Sequence, residues 1–313
     1  MRRNILLFLL GGSLCTAPAQ VKFTRQSDSI AVEVSGRPLT TFYFGGSAPK
    51  PYLHPLLTAA GQRLTRLYPM ESVDNESRDH PHHRGLWITH GDVNGVDFWA
   101  NEPEQRKGKQ GTIVLHEMRD VQDGRYKGVI WAVFEWRDPA GQPMLLEDRT
   151  MFFYSDGPVR IIDFDITFHA LTKVVFGDTK EGFFALRLRD ELTELKGSGK
   201  MTNDAGKTGM ALVWGHRSTW VDYSGTVDGR TAGVAIFDHP GNAAYPTWWH
   251  SRDYGLFAAN PFGERDFTGD KTKDGSLTLA AGASARFRYR LYIHPGDAAQ
   301  AAIAAAFHSW VGE

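Results

Sequence analysis

The sequence predicts an all-β protein, a large antiparallel two-sheet β-sandwich with a short C-terminal helix. Three observations predict it: period-two alternation of apolar and polar residues in many segments, hairpin-type turn signals between them, and no regular strand–helix alternation. In "RIIDFDITFHA", Ile162, Phe164, Ile166 and Phe168 face one way, and Asp163, Asp165 and Thr167 face the other. "SARFRYRLYIHP" repeats the pattern, setting Phe287, Tyr289, Leu291 and Ile293 against Arg286, Arg288, Arg290 and Tyr292. Further strands are expected at "IAVEVSG", "GTIVLHEM", "GVIWAVFEW", "LLEDRTMFFY", "FFALRLRD" and "AGVAIFD". Turns fall at Asp123, Asp138, Ser155 and Val227, where Asp, Gly and Pro cluster. Helical periodicity is convincing only in "DAAQAAIAAAFHSW", with Asp297 as the expected N-cap.

Residues 1–19 read as an export signal. Arg2 and Arg3 precede the apolar run "ILLFLL", and small residues follow at Ala17 and Ala19. Cleavage after Ala19 would leave residues 20–313 as one domain, periplasmic or secreted, in a bacterium. A lipoprotein alternative rests on Cys15, but Leu14 before it is larger than such sites usually carry. The apolar run is too short to span a bilayer, and no later segment is apolar enough to do so.

The single cysteine, Cys15, lies inside that signal. The chain beyond it therefore has no disulfide, no thiolate nucleophile, no iron–sulfur cluster and no cysteine zinc site. The formal charge of −1 becomes −3 once Arg2 and Arg3 are removed. Without basic runs, nucleic acid is not the expected partner. Nine Trp and ten Tyr, many beside Gly, His, Arg and Asp, suit a carbohydrate or another polyhydroxylated small molecule.

Four of the twelve histidines, His80, His82, His83 and His90, fall in "DHPHHRGLWITHGDVNGVDFW". Pro81 disfavours helix at His80, and an extended run would send His80 and His82 to one face and His83 to the other. Any one histidine is more often a turn cap or a backbone partner. Several in one glycine-rich loop with Arg84, Asp92, Asn94, Asp97 and Trp99 point to a site. Two later stretches share this texture. "GDTKEGFFALRLRD" places Lys180 and Glu181 in a turn before a strand, either as a solvated pair or as a base with its electrostatic partner. "FDHPGNAAYPTWWHSRDYGLFAANPFG" gathers His239, Trp248, Trp249, His250, Arg252, Asp253, Tyr254 and Asn260 as a pocket wall, joined by His216 and Arg217 of "WGHRSTW". The bland alternative is that Trp248 and Trp249 close one end of the sandwich.

Three functional readings follow. The first is an exported carbohydrate-active enzyme, a lyase, hydrolase or epimerase, that needs no cofactor. One of His82, His83 and His90 would act as general acid or base near neutral pH, with Glu181 as carboxylate partner. Lys180, Arg84 or Arg252 would hold a carboxylate, keto group or developing oxyanion. A hydrolase would draw two carboxyl groups from Asp92, Asp97 and Glu181. The second is a metalloenzyme. His90-Gly91-Asp92 matches half of a two-histidine, one-carboxylate site, which His82 and a distant His239 or His250 would complete for iron, manganese or zinc. The third is a glycan-binding protein without catalysis. Other devices fail: "DAGKTG" has Met201 where a phosphate loop needs glycine, and "DVNGVD" has a misplaced glycine and Pro103 where a calcium loop closes with Glu.

Five stretches, "KPYLHPL", "DHPHHRGLWITHGDVNGVDFW", "TKEGFFALRLRD", "WVDYSG" and "HSRDYGLFAANPFG", resemble a family of exported bacterial proteins of unknown function labelled PmoA-like. The resemblance implies membership and no activity. The methane-oxygenase sense of that label does not suit this chain, which has no membrane span and would begin at Gln20, not at a histidine. The all-β pattern, the length and the histidine-rich loops are also similar to the galactose-mutarotase-like supersandwich, a fold of sugar epimerases, polysaccharide lyases and some glycoside hydrolases.

Overall fold

A computed structural model describes residues 20–105 and 107–312; the expected export signal lies outside them. The first five strands are β1 (Val21–Arg25), β2 (Ser29–Val34), β3 (Arg37–Tyr43), β4 (Tyr52–His54) and β5 (Leu86–His90). Four long strands follow: β6 (Thr112–Gln122), β7 (Lys127–Arg137), β8 (Pro143–Asp156) and β9 (Val159–Ala170). Then come β10 (Val174–Phe176), β11 (Gly182–Arg187), β12 (Lys200–Asn203), β13 (Trp220–Val227) and β14 (Arg230–Asp238). The last are β15 (Trp248–Trp249), β16 (Leu256–Asn260), β17 (Leu277–Leu279) and β18 (Ser284–Pro295).

One eight-stranded sheet runs β1-β2-β3-β4-β5-β11-β16-β15, and a second runs β12-β13-β14-β18-β9-β8-β7-β6. β10 and β17 form a separate two-stranded ribbon. The two large sheets pack face to face, as the period-two pattern requires. Ile162, Phe164, Ile166 and Phe168 of β9 and Phe287, Tyr289, Leu291 and Ile293 of β18 are all buried between them. Phe184 of the first sheet meets Phe164 edge-on at 4.8 Å and stacks on Tyr289 at 4.7 Å. On the outer side of the second sheet, Arg290 grips Asp163 with bonds of 2.6 and 2.8 Å, and Arg286 pairs with Asp165. The alternating charges of β9 and β18 thus face each other across the strands.

The expected C-terminal helix is α3 (Ile303–Val311), following the short α1 (Met210–Val213) and α2 (Glu264–Thr268). It lays Ile303, Phe307 and Trp310 on Trp220, Ala235 and Phe237 of the second sheet. Asp297 is not its N-cap. The Asp297 carboxylate accepts the N–H groups of Ala299 and Gln300 and so caps a preceding turn. Ala302, at φ 51°, separates that turn from the helix.

β4, β5 and β16 do not show alternation because every residue in them is buried. Their inward face joins the main core. Their outward face carries a second apolar cluster of Tyr52, Trp87, Trp99, Ala185, Leu256 and Ala258. Ala185 lies opposite Trp87 on one side and Ala258 on the other, and two methyl side chains in the sheet's centre leave room for the indoles. The loops that cover this face build the site.

Two measurements test this packing. Phe184→Ala should cost about 3–5 kcal/mol in denaturant unfolding. Tyr126→Ala, at a side chain 67% exposed, should stay within about 0.5 kcal/mol of the wild type.

Candidate active site

The loop from Asp79 to Arg84 lies on the outward face of the first sheet. It enters β5 through Gly85, at φ +51°, where a Cβ would stand 2.1 Å from the Leu53 carbonyl oxygen, so only glycine fits. His80, at φ 44°, reverses the chain, and the His83 N–H donates to the His80 carbonyl at 3.0 Å. The segment is therefore a turn and not an extended run. All three imidazoles face the same cleft instead of opposite sides of a strand.

Four rings form a column: Trp87 against His83 at 5.1 Å, His83 against His80 at 4.7 Å, and His80 against Tyr254 at 5.2 Å. Buried guanidiniums hold the column from below. Arg187, the outward residue at the end of β11, donates to Asp79 at 2.7 Å and to His83 Nδ1 at 3.1 Å. Arg66 also pairs with Asp79 and donates to the His80 carbonyl at 3.0 Å. Burial pushes the Asp79 carboxyl up, but the hydrogen bond from His80 and the charges of Arg187 and Arg66 outweigh it. The group sits well below the usual carboxylate range.

The cleft has a volume of about 490 Å³. The histidine turn, Asp97, Trp99, Lys180, Glu181, His250, Arg252, Tyr254 and Leu256 line it. Asp97 fixes Trp99 by accepting the backbone N–H groups of Trp99 and Ala100 at 2.8 and 2.9 Å. Lys50, fully buried, donates to the Trp99 carbonyl and to Asn101, and burial lowers its ammonium to about 7. Glu181 approaches because Gly91 has no side chain: a Cβ there would lie 2.8 Å from the Glu181 Cβ. The Gly91 N–H donates to the Glu181 carbonyl at 2.7 Å. Lys180 Nζ lies 3.0 Å from the Glu181 carboxylate, and both side chains are about two-fifths exposed, at the rim.

Burial decides the protonation of three of the pocket imidazoles. It lowers His250 to about 3 and holds His82 and His83 well below the ordinary histidine value. They are neutral at pH 7, so none is a free imidazole titrating near neutrality. Their tautomers follow from their partners. Arg187 can only donate, so His83 Nδ1 accepts and its proton rests on Nε2. The Lys180 carbonyl can only accept, so His250 carries its proton on Nδ1, at 2.7 Å, and Nε2 is the acceptor. His82 Nδ1 contacts the Gln105 amide at 2.9 Å. His80 Nδ1 lies 3.0 Å from Asp79.

Of the residues singled out from sequence, the cleft gathers His82, His83, Asp97, Trp99, Lys180, Glu181, His250 and Arg252. Most of the others lie elsewhere. His90 is on the inward face of β5, packed against Phe262 at 4.8 Å and donating to the Gly177 carbonyl. It is a core histidine, because strand parity turns it away from Trp87 and Thr89. Asp92 closes its own turn by accepting from Gly95, and Asn94 bridges Lys173 and Val175. Arg84 is committed to both oxygens of Glu102 at 2.8 and 2.7 Å. Trp249 lies in the main core, and Trp248 stacks on Phe267 outside the cleft. His216 is exposed, and His239 packs against Trp310 beside the second sheet. Asn260 holds the Thr179 carbonyl and so positions the Lys180–Glu181 turn from behind. The metal set of His82, His90, Asp92 and His250 or His239 is thus dispersed. Among the described residues no group of three or more His, Cys, Asp or Glu side chains is placed to hold a metal ion. Tyr254, gathered from sequence into the pocket wall, and His80, one of the clustered histidines but given no role, also line the cleft; the sequence reading missed Arg187 as their support.

Fold and site together define a two-sheet β-sandwich with a histidine-rich cleft on one outer face. The family of unknown function DUF6807 matches residues 29–308, and the chain belongs to it. No curated protein sequence matches the chain. Among solved structures it is similar to an α-galactosidase from Lactobacillus brevis, at 10% identity and a TM-score of 0.44, over 90% of this chain and 40% of that one. It is similar to galactose 1-epimerase from Lactobacillus acidophilus NCFM, at 9% identity and a TM-score of 0.40, over 89% and 100%. The GH36 α-galactosidase AgaB from Geobacillus stearothermophilus matches at 8% identity and a TM-score of 0.45, over 88% and 41%. The chain spans about two-fifths of these α-galactosidases. Likenesses of this order carry neither substrate nor chemistry to it. No helix among the described residues is long and apolar enough to cross a membrane.

The neutral histidines set a pH dependence. The folded pKa of His250 lies below its unfolded value of about 6.5. As pH falls, the unfolded chain takes up that proton first. The associated stability is fully present above about 6.5 and is lost progressively as the pH falls towards 3. Between pH 7 and 5 this one group should remove about 2 kcal/mol. His250→Gln should shrink the wild-type drop over that interval by the same amount in urea titrations, whatever its effect at pH 7.

Proposed function

We propose that the protein is a carbohydrate-active enzyme working by acid–base chemistry in the cleft between the histidine turn and the Lys180–Glu181 turn. One observation carries this reading: the cleft sets a partly exposed carboxylate and its lysine beside neutral imidazoles and aromatic rings. Glu181 is the base. It keeps solvent contact, with the Lys180 ammonium as the counter-charge for an oxyanion. His83, with its proton on Nε2, donates to a substrate oxygen, and His250 Nε2 accepts from a hydroxyl. Neutral imidazoles of this kind polarise and orient without carrying charge. Trp99 and Tyr254 offer apolar faces to a sugar ring. A base and a polariser suffice for epimerisation or elimination, and these are the reactions the side chains support best.

Hydrolysis is the second reading, favoured by Asp97. This carboxylate lines the same cleft, and burial raises it above its ordinary value, as a proton donor to a leaving oxygen requires. The N-terminal charge and apolar pattern supports a site of action outside the cytoplasm.

The test is turnover of a panel of hexoses, uronates and their glycosides followed by proton NMR. Glu181→Gln should slow the reaction by about 10²–10⁴-fold while ligand affinity stays within a few-fold. Undiminished turnover in Glu181→Gln would contradict the role of the base. Saturable sugar binding without turnover by the wild type would identify a glycan-binding protein instead.

A further inference from the structure

The charges of the cleft do not balance among themselves. Glu181 lies 3.0 Å from Lys180. Asp79 takes both Arg66 and Arg187. Glu102, below the floor, takes both arms of Arg84, with Lys50 at 3.9 Å. Asp97 accepts two backbone N–H groups. Each carboxylate in the lining and its supporting layer thus has its own donors, and Arg252 is the cation left over.

The Arg252 side chain lines the cleft. Among the described residues it makes no ion pair and no side-chain hydrogen bond, and its Nε is buried without a partner. Two rings hold it in place, Trp214 at 5.6 Å and Tyr254 at 5.8 Å. Ring contacts restrain the guanidinium and satisfy none of its five donors. An unmet N–H inside a protein is costly, so the buried Nε favours a ligand that brings an acceptor to this corner of the cleft. A planar fork carrying one positive charge matches a carboxylate, which it grips with two parallel bonds. A phosphate monoester carries more charge, and Lys180, the other lining cation, is already paired with Glu181.

We infer that the ligand is a carboxylated sugar, a hexuronate or its glycoside, whose carboxylate is bound by Arg252. This rests on the reading of the cleft as a sugar site and narrows it to acidic sugars. Arg252 is then the residue that separates a uronate from the matching neutral hexose.

Calorimetric titration with D-glucuronate and D-galacturonate, against D-glucose and D-galactose, tests this on the wild-type protein. At least one uronate should bind roughly tenfold or more tightly than its neutral counterpart, which is the scale of one charge-assisted hydrogen bond. Arg252→Met should erase that preference, so that uronate and neutral hexose bind within a few-fold of each other, and Arg252→Lys should keep only part of it. Equal binding of uronate and hexose overturns the inference but leaves the sugar site standing. A preference that survives Arg252→Met in protein of wild-type Tm also overturns it. If no sugar of either kind binds, the sugar-site reading fails and the inference falls with it.

Discussion

The site depends on one contact, the buried Arg187 guanidinium held between Asp79 and His83. Arg187 ends β11 on the sheet's outward face, where an aliphatic side chain would be the ordinary choice. It is buried there with Arg66, and the two share the single carboxylate of Asp79. Leaving either guanidinium without that carboxylate would strand a buried charge, which is far costlier than losing a surface pair. The histidine turn is therefore pinned to the sheet by electrostatics as well as by ring packing. Arg187 also fixes which nitrogen of His83 carries the proton, so a structural tie sets the hydrogen-bonding character of the cleft.

Burial then divides the work among the titratable groups. The imidazoles at the bottom are dry and neutral, while Lys180 and Glu181 at the rim keep their solvent contact. The proposed reaction leaves proton transfer to the carboxylate, while the histidines would supply oriented donors and acceptors that need no reorganisation when a ligand arrives. Opposite tautomers at His83 and His250 give the cleft one donor and one acceptor nitrogen. Sugar hydroxyls, which both donate and accept, can use the two together.

Much of the fold was legible in the sequence because strands such as β9 and β18 have one wet face and one dry face. Their alternation named the inward residues correctly. β4, β5 and β16 were not legible, since the covering loops bury both faces and erase the alternation that marks a strand. The same fact misplaced His90. Read as part of a loop, it belonged with His82 and His83; read as the last residue of β5, its parity sends it to the core. Clustering by residue type brought together His82, His83, Glu181, His250 and Arg252 from three distant stretches. It also gathered Tyr254, but it gave His80 no role, because the positive φ at His80 and the ring column are set by tertiary packing. Arg187 stood in the quoted "FFALRLRD" as one more alternating arginine, and only the pairing of β11 with β5 gives it its role.

The central claim is that burial keeps His82, His83 and His250 neutral, with opposite tautomers at His83 and His250, and so leaves Glu181 as the proposed base. Long-range proton–nitrogen NMR of protein labelled with ¹⁵N-histidine reads both properties ring by ring. From pH 7 to 5, His83 should remain neutral with its proton on Nε2 and His250 neutral with its proton on Nδ1. Titration of either ring near its unperturbed pKa of about 6.5, or the same tautomer at both positions, would contradict the account.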